Sequence, residues 1–175
     1  MFSETIKIPK ERVAVLIGEK GVVKKQLQNQ LNVTIYVDSK EGLVEIISED
    51  GYNNYLTKNV VQLIGRGLTP EEARQILNEN CSAEIINIKD FTGGSKKKQE
   101  RIKGRLIGKE GSVRKNLEKL TNTKIVIYGK TVTILGITND VEVAKRAVEK
   151  LLTGTPHGHV YAMIERSNDK DKDKD

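Results

Sequence analysis

The chain of 175 residues is 37% apolar and 31% charged with a net charge of +6, and its pI is about 9.3; this length suits one domain of common size or two small ones. No run approaches the ~18 apolar residues of a membrane span, and the opening MFSETIKIPKER lacks the apolar stretch of a signal peptide, so a cytoplasmic protein with no membrane partner is expected. The single Cys81 excludes an internal disulfide and reads as a small buried residue.

In chain order, ETIKI alternates as a strand, and PKERVAVLI predicts a short helix running into Gly18. VVKKQLQNQL follows as a helix with Val23, Leu27 and Leu31 on one face. VTIYV and LVEII form a strand pair joined by DSKEG. Asn53 or Asn54 is a candidate cap for the helix YLTKNVVQLIGRG, whose buried stripe is Leu56, Val60, Leu63 and Ile64. TPEEARQILNEN then reads as a structured connector, with Thr69 as N-cap, Pro70 at the first helical position and Glu72 completing a capping box.

The order then repeats. AEIINI is a strand, KKKQERIKG a short helix before Gly108, and SVRKNLEKL the next helix. KIVIYGKTVTIL is a hairpin around the short Gly129–Lys130 turn. A last helix begins after Asn139 and buries Val141, Ala144, Val148 and Leu151, while residues 167–175 are too polar and repetitive to fold. Sliding the chain by 90 residues superimposes Leu16, Ile17, Gly18, Gly21, Val23 and Lys25 on identical residues, and Leu27, Asn32 and Ile35 as well. Internal similarity of this kind marks two copies of one unit.

A short helix, a G-x-x-G turn, a second helix and adjacent strands make the arrangement of a KH module, whose loop clamps the backbone of about four nucleotides. Glycines open backbone angles closed to other residues and let phosphates come close. The helix that follows aims its free N–H groups and positive end at them. The fold class is therefore α+β: two type I KH modules, each a three-stranded antiparallel sheet with three helices on one face, joined by a short helical connector. The expected divisions are residues 1–79 with the connector, 80–166 with a C-terminal extension, and a disordered charged tail at 167–175.

The candidate RNA-binding residues are Gly108, Lys109, Glu110, Gly111, Arg105, Arg114 and Lys115 in the second unit. In the first they are Gly18, Glu19, Lys20, Gly21, Lys24 and Lys25. Ile107 with Ile125, and Ile17 with Ile35, are expected to floor a groove for unstacked bases. Between Lys96 and Lys115 stand nine basic residues against Glu100 and Glu110, a density that points to a polyanionic partner. The first rim is thinner and its DSKEG loop adds two acids, so the second unit is expected to be the main RNA reader. With two Phe, five Tyr and no Trp, the chain cannot build the stacking platform of an RRM.

No G-x-x-x-x-G-K-[ST] phosphate loop or dinucleotide fingerprint is present. His157 and His159 have no third metal ligand nearby and read as a turn packed on the last helix. No enzyme, cofactor or metal site is expected.

LIGRGLTPEEARQIL, LIGKEGSVRKNLEKLTNTKIVI and ILGITNDVEVAKRAVEKLLTGTPHGHVY resemble the connector, RNA-binding loop and closing segment of a particular family. These are the tandem-KH small-subunit ribosome assembly factors known as "partner of Nob", of archaeal type. A basic residue three places past the second glycine, here Lys24 or Arg114, is similar to that family's second module. The resemblance implies binding of single-stranded RNA at the 3′ region of the small-subunit rRNA precursor. It also implies, as neighbours, the 3′-end endonuclease and the dimethyladenosine methyltransferase. Carried over, Gly108–Gly111, Arg114 and Lys115 would hold phosphates. The alternatives are a general KH protein of an RNA-processing or degradation complex, and a KH scaffold for protein partners.

Overall fold

A computed structural model describes residues 1–174. The chain divides into two compact units, Met1–Glu79 and the residues from Asn80 onward. The first comprises β1 (Phe2–Lys7), α1 (Val13–Ile17), α2 (Val22–Leu31), β2 (Thr34–Asp38), β3 (Leu43–Ser48), α3 (Gly51–Gly65) and α4 (Pro70–Ala73). The second comprises β4 (Cys81–Asn87), α5 (Lys89–Thr92), α6 (Lys96–Ile107), α7 (Ser112–Thr121), β5 (Lys124–Tyr128), β6 (Thr131–Ile137), α8 (Thr138–Leu152) and α9 (His157–Lys172).

Each sheet is antiparallel, in the orders β1-β3-β2 and β4-β6-β5. The last strand of each unit lies in the middle, which leaves β2 and β5 at an edge with one side of their backbone open. Ile35 stands opposite Ile46, and Ile125 opposite Ile134. Strand alternation turns these four to the helices, where all are essentially inaccessible. Leu16, Leu27 and Ile64 are likewise buried in the first unit, and Leu106, Leu117 and Val148 share one core with Ile125 and Ile134 in the second. Burying each such side chain contributes roughly 1.5–3 kcal/mol.

Several local expectations are corrected. The cap of α3 is Asp50, whose carboxylate accepts the Tyr52 N–H at 2.8 Å. Asn54 lies inside, donating to the Ile46 carbonyl at 3.2 Å and accepting from Ser48 Oγ. Thr69 does cap α4, accepting from Glu72 N at 3.1 Å. With Leu68 and Ala73 fully buried and Arg74 donating to Gln26 at 2.8 Å, the connector is packed onto the first unit. Cys81 is only half-buried, at the start of edge strand β4.

The C-terminus differs most from expectation. PHGH does not form a turn; it opens α9, which continues through Lys172. Val160 and Ile164, one helical turn apart, are buried in the second core, and Asn168 donates to the Leu120 carbonyl at 3.0 Å. Packing thus carries the polar segment as helix where its composition argues for disorder; residue 175 lies outside the described residues.

The two units also differ in one stretch that the repeat conceals. The buried Ile8 and Ile88 are equivalent: the first donates to Gly42 O at 2.9 Å, the second to Lys130 O at 2.8 Å, across the matching hairpin turn. Nine residues separate Ile8 from Gly18, but nineteen separate Ile88 from Gly108. The excess forms α5 and the early part of α6, which is capped by Ser95, its hydroxyl accepting from Lys98 N at 3.3 Å.

Candidate nucleic-acid interface

The two glycines of each loop have different reasons to be glycine. Gly18 and Gly108 hold φ/ψ of 75°/173° and 73°/176°, a region essentially closed to side-chain-bearing residues. A Cβ there would also stand 2.4 Å from the Cγ2 of Val23 or Val113. Gly21 and Gly111 are left-handed, at φ 75° and 76°, and no backbone crowds either position. The residue before each is left-handed too: Lys20 at φ 53° and Glu110 at φ 56°. This conformation costs a non-glycine residue about 1–2 kcal/mol. Because the loops read GEKG and GKEG, Lys109 is spared that strain and stands exposed on ordinary backbone.

Each loop ends at the N-terminus of a ten-residue helix, α2 or α7, whose first N–H groups have no partner within the helix. At the second loop, Lys115 Nζ donates to Glu110 O at 3.3 Å. A Cβ on Gly111 would lie 3.7 Å from Lys115 Cε and 3.8 Å from Arg114 Nη2, so both cations lean over the loop. Nothing stands within 4 Å of the same point at Gly21, so Lys24 and Lys25 do not close on the first loop.

Arg114 is also paired with Glu118 one turn along α7. The other oxygen of that carboxylate accepts the Ile125 N–H at 3.0 Å and lies 3.9 Å from Lys124 Nζ. At the matching place in the first unit, Gln28 accepts the Ile35 N–H at 2.8 Å. These side chains tie the edge strand to the second helix and fix the width of the groove. By alternation, the N–H and C=O of Ile127 face the same open edge as the N–H of Ile125. Residue-by-residue reading missed Gln28 and Glu118, although the 90-residue offset aligns them.

Other site residues fall differently from the sequence reading. Ile35 and Ile125 are 1% exposed; they are core, because their strand faces the helices, and cannot floor a base-binding groove. Ile17 and Ile107 remain partly exposed beside the loops. Arg105 is turned away from the phosphate rim: its guanidinium donates to Leu151 O at 2.9 Å and to Thr155 O. Arg12 does the same in the first unit, donating to Ile64 O and Leu68 O, each at 2.8 Å. Both arginines satisfy carbonyls at the C-terminal end of the long helix, α8 or α3, where cations are favoured. His157 Nε2 lies 3.0 Å from Arg105 O. Among the described residues, no three His, Cys, Asp or Glu side chains are grouped to hold a metal, and no helix is long and apolar enough to cross a membrane.

Charge separates the units further. Residues 1–79 carry ten Lys/Arg against eleven Asp/Glu, whereas residues 80–175 carry twenty against thirteen.

Residues 82–169 match the second PNO1 domain, a eukaryotic type KH-domain (KH-domain type I), and residues 3–79 match the KH domain. A KH domain-containing protein of Methanocaldococcus jannaschii is 41% identical over 97% of this chain and 75% of its own length. The RNA-binding protein pno1 of Dictyostelium discoideum is 27% identical over 91% of this chain and 69% of its own. Dim2p from Pyrococcus horikoshii has a crystal structure that superposes with a TM-score of 0.85 at 41% identity, covering 95% of this chain and 99% of that one. A structure of the a/eIF2alpha–aDim2p–rRNA complex from the same organism matches with a TM-score of 0.87 at 40% identity, covering 97% and 95%.

Proposed function

This chain is a member of the PNO1/Dim2p family of tandem-KH proteins, and from that premise we propose that it is an RNA-binding ribosome assembly factor. It binds single-stranded RNA of the 3′ region of the small-subunit rRNA, principally through the second module. The observation that carries this reading is the second loop itself: at Gly111, where no other backbone crowds it, the loop opens at the start of α7 with Arg114 and Lys115 drawn over it. The structural relative bound to rRNA supports the ligand class.

The mechanism is recognition without catalysis. Phosphates approach the glycine backbone and the helix N-terminus, Lys109 and Lys115 supply charge, and Ile107 gives bases an apolar wall. The open edge of β5 offers Ile127 N–H and C=O for base edges. The first module has an intact loop but no net positive charge, and serves as a second, weaker grip. The relative's complex contains a/eIF2alpha, so a protein partner of that kind belongs to this reading, as do the 3′-end endonuclease and the dimethyladenosine methyltransferase. Such a factor would work in the cytoplasm.

Lys109→Asp tests the proposal cleanly, because the position is exposed and unstrained. Gly108→Asp would instead collide with Val113 and distort the loop. Losing a charge-assisted contact of about 1.5–3 kcal/mol corresponds to a tenfold or greater drop in affinity, at about 1.4 kcal/mol per factor of ten. Fluorescence anisotropy with RNA from the small-subunit 3′ end should show this drop with the melting temperature unchanged. Undiminished binding by the variant would refute the loop as the site. Equal wild-type affinity for a scrambled RNA would reduce the reading to a general KH RNA binder.

A further inference from the structure

The first unit reaches its glycine loop through the five-residue α1 and ends in the four-residue α4. The second unit adds α5, the early turns of α6 and the long α9. Against α8, these additions enclose two clefts of about 650 and 460 Å³. Phe91 and Thr153 line both, so the clefts run together as one furrow. Its floor includes Leu151 and Leu152, which belong to the core. Phe91, Ile102 and Met163 pack against that core and are only half-buried, so each leaves apolar surface open to the furrow.

Cations line both walls. Lys98 and Arg101 stand about one turn apart on α6, and Arg146 and Lys150 about one turn apart on α8. All four are exposed, and among the described residues none is held in an ion pair. The one acid in the lining is Glu149. Arg105 also borders the furrow, but it already serves the Leu151 and Thr155 carbonyls, so the negative end of α8 is neutralised from within.

This surface is not the phosphate rim. At about 3.6 residues per turn, Lys98, Arg101, Ile102 and Arg105 follow one face of α6, and Ile107, beside the glycine loop, lies on the opposite face. Its chemistry differs too. A phosphate backbone needs charge and hydrogen-bond donors, whereas an apolar floor between two rows of cations fits a ligand with apolar side chains at its centre and carboxylates at its edges.

We propose that this furrow docks a protein partner through an acidic amphipathic segment. Large apolar side chains of the segment settle against Phe91, Ile102 and Met163. Its flanking Asp or Glu residues pair with Lys98 and Arg101 on one wall and with Arg146 and Lys150 on the other. A helix that presents anchors at i, i+3 or i+4, and i+7 has this form. The furrow and the glycine loop share no residue, so the second module can hold RNA and a protein at once.

The test selects peptides of about twelve residues, about 18 Å long if helical, against the full chain from a displayed library random at every position. Enriched peptides should combine Asp or Glu with large apolar residues, and a fluorescein-labelled copy of the commonest should bind in solution. Lys98→Ala/Arg101→Ala and Arg146→Ala/Lys150→Ala should each weaken that peptide about tenfold, through lost charge-assisted contacts, with the melting temperature unchanged. The control Lys119→Ala/Lys170→Ala removes equal charge elsewhere on the second unit and should leave its affinity within about twofold.

No enrichment, enrichment of neutral or basic peptides, or an acidic peptide that both wall variants bind as tightly as wild type overturns the docking surface. RNA is the other polyanion to exclude. Affinity for RNA from the small-subunit 3′ end should stay within about threefold in both wall variants, because the furrow lies across α6 from the loop. A tenfold loss there would make the furrow part of the RNA surface and overturn the proposal.

Discussion

Arg105 and Arg12 stand among clustered cations, yet their guanidinium groups are spent on carbonyls within their own units. A helix leaves its last carbonyls without internal partners, and a planar five-donor group can serve two of them at once. Arg105→Ala should therefore lower the stability of the second unit by roughly 1.5–3 kcal/mol, the worth of a charged hydrogen bond, read as a shift in the denaturant midpoint. RNA affinity measured where the variant is still folded should stay within about twofold of wild type, since neutralising one remote charge is screened beyond a Debye length of about 8–10 Å. A tenfold loss of affinity without loss of stability would return Arg105 to the phosphate rim. Lysine at 105 should rescue little, because one ammonium cannot match the fork. The loop glycines divide in the same physical way: the first excludes a side chain by collision and backbone angle together, the second by angle alone.

At the scale of elements, the end of α7, the start of α8 and the end of α9 come together around Asp140. Its carboxyl is pushed above the ordinary value of 3.8, first by burial and then by the neighbouring Asp171, against a hydrogen bond from Asn122 that favours the charged form. A raised pKa means the folded state resists ionisation, so the penalty is absent below the unfolded value and grows as pH rises through the folded one. Asp140→Asn should raise the melting temperature at neutral pH, and the gain should vanish below about pH 3.8. A melting temperature that falls at neutral pH would show that the carboxylate serves α8 as a helix N-terminal charge more than burial costs it. The same meeting of elements explains why α9 persists: Val160, Ile164 and Asn168 anchor it from within.

For the whole molecule, two closed cores and an uneven distribution of charge give separable behaviour. The first unit is close to neutral and the second carries the whole surplus. Fragments 1–79 and 80–175 should each unfold cooperatively, as small single domains do. The second fragment should retain most of the RNA affinity and its salt dependence, because the counterions released scale with the phosphates neutralised. Titration of each fragment at two salt concentrations checks this. A steeper slope for the first fragment would reverse the assignment of the main site.

Much of this was legible in the amino-acid sequence. The alternation of VTIYV and LVEII, the Thr69–Glu72 cap and the duplicated glycine pairs depend on neighbours a few residues apart, and local geometry dictates local outcome. Glycine at φ near 75° and a helix starting just after it need no distant partner. What only the tertiary structure decided concerns residues whose meaning depends on what they touch. Charge alone could not tell Lys109, which faces solvent, from Arg105, which caps a helix 46 residues away. Nor could periodicity tell that Ile125 packs into the core while Ile107 stays at the surface. Residues 167–172 became helix because two apolar residues earlier in α9, Val160 and Ile164, found a core formed by earlier segments. The cavity lined by Lys96, Lys103 and Lys130 needed α6 and the β5–β6 turn to meet across some thirty residues of chain. Sequence carries the short-range physics; partners far apart in the chain are chosen by the fold.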